Sequence, residues 1–394
     1  MQYTFSNRIS SLKPSAIREI LKATSQPGVI PFAAGNPAPE SLPIEAIRHF
    51  LGEILEEHPI EALQYGISEG YTPLRNVLLK RMNESFSSVH DFDDLIIVSG
   101  AQQAVELTCK VFLNEGDTVI CENPSFIGSL NAIRSYNVNL CGIELEDDGI
   151  DTFKLEKALT EEKNIKAIYL IPNFQNPTGI TMSLKKRKAV YELAKNYSII
   201  IIEDNPYGDL RFSGAELPTI KSMDTEGLVV YCGSFSKILS AGIRVGYALA
   251  PAQIIQKLVV AKQVSDVHTN LISQMLAERF LTQSDFESHI VKIKEIYRHK
   301  SSLMIDGIER HFDKRIAFIR PEGGLFLWCT LPQDVDMLDY VKRAAAKGVA
   351  VVPGVAFLTN PLVGCNSFRL NYSTPTDEQI INGIEILGGI PLNI

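Results

Sequence analysis

The chain has 394 residues, 45% of them hydrophobic and 21% charged, with a formal net charge of −8. This is long enough to bury a large core in one or two domains, and the composition excludes a disordered chain. The acidic balance argues against a nonspecific nucleic-acid surface, and the lack of any apolar run of about 18 residues argues against a membrane span.

Met1-Gln-Tyr-Thr-Phe5 lacks the basic start and apolar stretch of a signal peptide, so a cytoplasmic protein is expected. The first 45 residues carry no strong strand pattern. Short apolar runs then alternate with helical patterns: Leu95 to Ser99, Thr118 to Cys121, Ile165 to Pro172, Ser198 to Asp204, Leu228 to Gly233 and Val245 to Ala250. Such runs suit strands buried on both faces, and the pieces between them (101–113, 184–197, 252–264) have helical length and spacing. The alternation predicts an α/β fold with a mostly parallel sheet. The basic run Lys185-Lys-Arg-Lys188 reads as a solvated helix face.

From Phe286 to Phe312 the apolar positions fit a long helix with one buried face, which leaves the sheet and starts a second unit. The runs 315–320, 325–331 and 368–371 read as a small α/β unit. The expected division is a large domain over 46–285 and a small domain over 1–45 and 286–394. Six cysteines with no Cys-x-x-Cys pair look like core residues, and seven histidines with no paired spacing offer no metal site.

In parallel sheets, ligands gather beyond the carboxyl ends of the strands. Four polar clusters fall there: Gly100-Ala-Gln102, Asn176-Pro-Thr-Gly179, Asp204-Asn-Pro-Tyr207 and Ser234-Phe-Ser-Lys237, the last followed by Arg244. A lysine in a low-dielectric site beside another cation becomes a nucleophile that forms an imine with an aldehyde, and Ser234, Ser236 and Arg244 suit a phosphate. An aldehyde that also carries a phosphate is pyridoxal 5'-phosphate. Asp204 suits its ring nitrogen, because a carboxylate there keeps a pyridine protonated. Asn176 and Tyr207 suit the phenolic oxygen, the helix opened by Gly100, Ala101 and Gln102 suits the phosphate, and Phe126 offers a face for stacking. Each segment also has a plainer reading: a strand end with a solvated lysine, a turn aspartate, a turn, core packing. Arg369 sits in the apolar run Ser367-Phe-Arg-Leu-Asn371, where it needs a partner, either a substrate carboxylate or an internal salt bridge.

Taken in order, these motifs resemble the class I and II aminotransferases of fold type I over nearly the whole chain. That resemblance implies a large domain with a mostly parallel seven-stranded sheet plus a small α/β domain. It implies that Lys237 carries the cofactor as an imine and shuttles a proton, that Asp204 pairs with the pyridine nitrogen, and that Arg369, helped by Asn176, binds the α-carboxylate. It also implies a homodimer with shared active sites, in which Tyr65 of Gln64-Tyr-Gly66 is lent to the neighbouring subunit. Phe126 stands where a tyrosine is often found. Lys13-Pro-Ser-Ala-Ile-Arg18 and Phe32-Ala-Ala-Gly35 look like the 2-aminoadipate and kynurenine aminotransferase branch, in which Arg18 meets an acidic substrate side chain and Gly35 approaches substrate by its backbone. Regulators with an N-terminal winged helix share that branch, and no such segment is expected here. The expected activity moves an amino group from an L-amino acid (2-aminoadipate, glutamate, aromatic or branched-chain) to a 2-oxo acid such as 2-oxoglutarate. A lyase or decarboxylase on the same fold, or a cofactor-binding sensor without turnover, remain alternatives at this point.

Overall fold

The computed structural model describes residues 3–10, 12 and 28–392. Its larger sheet comprises β1 (Asp93–Val98), β2 (Thr118–Asn123), β3 (Asn139–Glu146), β4 (Gly149–Ile150), β5 (Ile165–Leu170), β6 (Ile200–Asp204), β7 (Val229–Ser234) and β8 (Gly246–Pro251). Among the described residues the order is β1-β8-β7-β6-β5-β2-β3-β4. The pairs β2–β3, β2–β5, β5–β6 and β6–β7 are parallel, whereas β8 runs antiparallel to both β1 and β7. Seven strands form the body that the resemblance implies, and two-residue β4 extends it by folding back onto β3.

The interior strands are apolar in succession because each feeds two cores. Ile168, Leu170, Ile201 and Val229 join one cluster with Leu155 and Val190, while Ala167, Tyr169, Ile202 and Val230 join the opposite one with Ala104 and Val105. Successive side chains on a strand point to opposite faces, so the helices covering both sides need an unbroken apolar run. Sequence patterning missed β3 because only Ile143 of its eight residues is buried, and Asn139, Gly142 and Glu144 interrupt any apolar run.

The Phe286–His311 helix buries Ile290, Ile293, Tyr297, Met304 and Ile308 along one face. The second sheet comprises β9 (Ala317–Phe318), β10 (Phe326–Thr330), β11 (Val352–Pro353) and β12 (Ser367–Asn371), in the antiparallel order β11-β12-β10-β9. The described part of the N-terminal segment docks beside it: Ile30 N–H donates to Gly348 O at 2.8 Å, and Asn371 N–H to Phe32 O at 2.8 Å.

The basic run at 185–188 is corrected by the structure. Arg187 is fully buried, donating to Met182 O, Pro218 O, Pro172 O and Asn173 Oδ1 at 2.6–3.0 Å. Lys186 is buried too and pairs with Glu146 and Asp148. Where the chain doubles back after β5 its carbonyls leave the ladder, and a buried carbonyl without a donor is costly, so Arg187 turns inward to Pro172 O and Met182 O. Among the described residues no helix is long and apolar enough to cross a membrane.

Candidate active site

Strands β1, β5, β6 and β7 point the same way, so their carboxyl ends share one edge of the larger sheet. Antiparallel β8 begins at that edge, which places Arg244 there as well. The face of β12 that carries Arg369 closes over this edge, leaving a cavity of about 390 Å³. Its lining brings together Ala101, Gln102 and Phe126 with Asn176, Asp204 and Tyr207. Gly35, Ser234, Ser236, Lys237, Arg244 and Arg369 complete the set of expected residues found there.

Asp204 ends β6 and is buried. Its Oδ2 accepts from the Tyr169 hydroxyl at 2.7 Å, whereas Oδ1 has no partner among the described residues. Burial pushes its carboxyl up to about 6, against the opposing effect of the Tyr169 hydrogen bond. Burial likewise pushes the Tyr207 phenol above its ordinary value, opposed by Arg369. Asn176 Nδ2 lies 3.5 Å from the Tyr207 hydroxyl, at the outer limit of a hydrogen bond.

Lys237 follows β7 and donates from Nζ to Gly35 O at 2.7 Å. Desolvation first, then Arg369 and Arg244, bring its ammonium down to about 8. Arg244 holds a left-handed backbone at φ +54°, and its guanidinium donates to Ser236 Oγ at 3.3 Å and Ser99 O at 3.1 Å. A non-glycine residue in that conformation is strained, and such strain collects at functional sites. Gly100, at φ +85°, precedes the Ala101–Phe112 helix outside the lining, and a Cβ there would collide with the Arg244 guanidinium.

Arg369 is buried on β12. Its Nη1 donates to Asn176 Oδ1 at 2.8 Å and its Nη2 to Ala33 O at 2.9 Å, while Nε has no partner. Its guanidinium carbon lies 4.2 Å from the Phe326 ring centre and 5.0 Å from that of Phe357. Burial pulls it down to about 10. The internal salt bridge, one of the two partners weighed from sequence, is not formed: its partners among the described residues are an amide oxygen, carbonyls and two rings.

Among the described expected residues, Gly100 and Tyr65 do not line this cavity. Tyr65 is 80% exposed and rests edge-on against the His268 ring at 5.8 Å. Arg18 lies outside the described residues. Sequence reasoning also missed Tyr169, Phe326 and Phe357. Tyr169 stands in the strand run 165–170 like any core aromatic, and only the pairing of Tyr169 with Ile202, two residues before Asp204, turns its hydroxyl toward that carboxylate. Phe326 follows Gly323-Gly324, a turn signal that could have flagged it; Phe357 carries no such mark.

A family model described as aminotransferase class I and II matches residues 27–387. Aromatic-amino-acid aminotransferase 1 of Thermococcus litoralis is 42% identical over 387 residues, covering 97% of this chain and 93% of that protein. The crystal structure of Pyrococcus horikoshii kynurenine aminotransferase superposes with a TM-score of 0.94 at 39% identity, over 98% of this chain and 96% of that one. That of the α-aminoadipate aminotransferase of Thermus thermophilus, complexed with N-(5'-phosphopyridoxyl)-L-leucine, gives 0.90 at 36%, over 98% and 96%. These likenesses indicate pyridoxal phosphate as cofactor, and the cavity fits it on physical grounds. An unpaired carboxylate oxygen suits a ring N–H, a desolvated amine suits an aldehyde, and an arginine between serines suits a phosphate. Fold, cavity chemistry and match converge on a pyridoxal-phosphate-dependent transaminase, and the chain belongs to the class I and II aminotransferase family.

Proposed function

We propose that the enzyme moves the amino group of an L-amino acid, aromatic donors foremost, to a 2-oxo acid such as 2-oxoglutarate in two half reactions at this cavity. One observation carries the reading. The lining holds three cations, Lys237, Arg244 and Arg369, whose hydrogen-bond partners among the described residues are uncharged, and one carboxylate, Asp204, with an unpaired oxygen. A phosphate, a substrate carboxylate and a cationic ring complement that set charge for charge. The 42% identity to an aromatic-amino-acid aminotransferase supports the aromatic preference, and the 2-aminoadipate transaminase of Thermus thermophilus, at 37%, supports that acid as a second donor.

In this reading Ser234, Ser236, Arg244 and the helix start at Gly100, Ala101 and Gln102 hold the phosphate, Phe126 stacks on the ring, and Asn176 and Tyr207 hold its phenolic oxygen. Bound pyridoxal phosphate supplies an aldehyde and a cationic ring that withdraws electrons from the substrate α-carbon. Asp204 keeps the ring nitrogen protonated. Arg369, with Asn176, grips the substrate carboxylate and so fixes which α-carbon bond faces Lys237; the carbonyl of Gly35 borders the same space. Lys237, with its ammonium brought down to about 8, is a usable base near neutral pH: its Nζ takes the α-proton and returns it as an acid.

The protein is read as a cytoplasmic homodimer in which Tyr65 completes the partner's cavity. Its exposure, with that of neighbouring Ile60 and Leu63 at 77% and 70%, forms an apolar patch that a second copy would cover. The bodies 46–285 and 1–45 with 286–394 are the proposed large and small domains. Mixing the purified yellow enzyme with single amino acids and following loss of the imine band tests the reading. Rapid conversion by phenylalanine or tyrosine is expected, and no conversion by any amino acid would overturn it.

A further inference from the structure

The guanidinium of Arg369 occupies a place where a cation has little reason to stay. On β10 and β11, Trp328 and Val352 stand directly opposite Arg369 and so share its face of the small sheet. With Ala33 and Phe357 these two residues form a buried apolar cluster. The positive charge therefore sits in an apolar row, stabilised by carbonyl and amide oxygens and by the nearby rings of Phe326 and Phe357.

We infer that Phe357 is a positioning residue for substrate-carboxylate recognition, acting only through Arg369. Phe326 lines the cavity, but Phe357 does not. Its ring lies 5.0 Å from the guanidinium carbon, with that of Phe326 at 4.2 Å, and is itself held edge-on by Trp328 at 6.0 Å and 76°. Two π rings this close to a planar cation limit its freedom to turn, and attract it where no carboxylate does. The turn that presents Phe357 is tight: a Cβ on Gly354 would come within 2.5 Å of Ser367 O. The backbone of Phe357 also reaches the cofactor side, since its carbonyl accepts the Ser125 N–H at 2.9 Å, one residue before Phe126. The ring that steadies the carboxylate anchor and the loop that carries the stacking face thus belong to one connected piece.

This inference rests on Arg369 as carboxylate anchor, so the test separates the two. The probe is 3-phenylpropanoate, a carboxylate without an amino group, titrated into the holoenzyme by calorimetry. Phe357→Leu is expected to weaken it about threefold to thirtyfold, with KM for donor and acceptor rising by the same factor. The value of kcat, and pyridoxal phosphate affinity of the cofactor-free protein, are expected to stay as they were. Phe357→Tyr, which keeps the ring, restores binding; Phe357→Met replaces the leucine variant if that one does not fold. Unchanged 3-phenylpropanoate affinity in a folded ring-free variant, or a matching loss of cofactor affinity, overturns the role of Phe357. Arg369→Leu is the control: if it too leaves the affinity unchanged, the carboxylate anchor itself falls.

Discussion

The sheet edge that carries Lys237 and Asp204 and the small-sheet face that carries Arg369 meet in one cavity but hold their charges by different means. At the edge each group ends or follows a strand, and burial sets its character: Lys237 is brought down to about 8 and Asp204 pushed up to about 6. Both stand near neutrality, where a group changes its proton readily. On the small-sheet face Arg369 stays charged, drawn only to about 10, and is fixed by contacts from four separate stretches of chain: Ala33, Asn176 and the rings of Phe326 and Phe357. The difference teaches a division of labour in which the edge supplies reactivity and the face supplies geometry.

Removing Lys237 attacks the reactive side most directly. Lys237→Ala should lower turnover on the order of a thousandfold or more, and mass analysis after borohydride reduction should find no cofactor adduct on that peptide. Full turnover would erase the contrast. Arg369→Leu should raise KM for amino and oxo acids by about a hundredfold or more while leaving cofactor affinity nearly intact, which steady-state kinetics and a cofactor titration check together.

Asp204 sharpens the contrast through pH. Its folded value, about 6, lies above the ordinary 3.8. The contribution of this one group to the cofactor-free fold is therefore fully present below about pH 4 and falls by up to roughly 3 kcal/mol as the pH rises through 6, because its ionisation is costly only in the folded state. Asp204→Asn should make the cofactor-free protein melt higher than wild type at pH 7.5, with the gap closing toward pH 4, yet bind cofactor poorly. A lower melting point at pH 7.5 would mean that this carboxylate is not under strain. The smallest effect belongs to Tyr169→Phe. Loss of its 2.7 Å hydrogen bond to Asp204 should weaken pyridoxal phosphate binding roughly tenfold, read by fluorescence titration, since hydrogen bonds to charged groups contribute about 1.5–3 kcal/mol.

The edge was largely legible in the sequence and the face was not. Gly100, Asn176, Asp204 and Lys237 each follow or end an apolar run, so strand periodicity and the carboxyl-end rule were enough to gather them. Arg369 was legible only as an arginine in need of a partner. Its rings come from β10 and from a turn after β11, which carry no local signal because an aromatic in an apolar stretch looks the same whether it packs a core or faces a cation. Arg187 was misread for the converse reason: a basic residue in a basic run looks solvated until the carbonyls of a returning loop are seen beside it.

By itself the sequence determined the alternation of the buried strands with helices, the polar groups at strand ends and the lysine fit to hold an aldehyde, because side-chain periodicity and strand termination are properties of neighbouring residues. Only the tertiary structure decided that Tyr169 reaches Asp204, that Gly35 O meets Lys237, and that two rings lie against Arg369. Those contacts depend on cross-strand register and on the docking of distant segments, which are fixed by packing of the whole core rather than by any stretch of it.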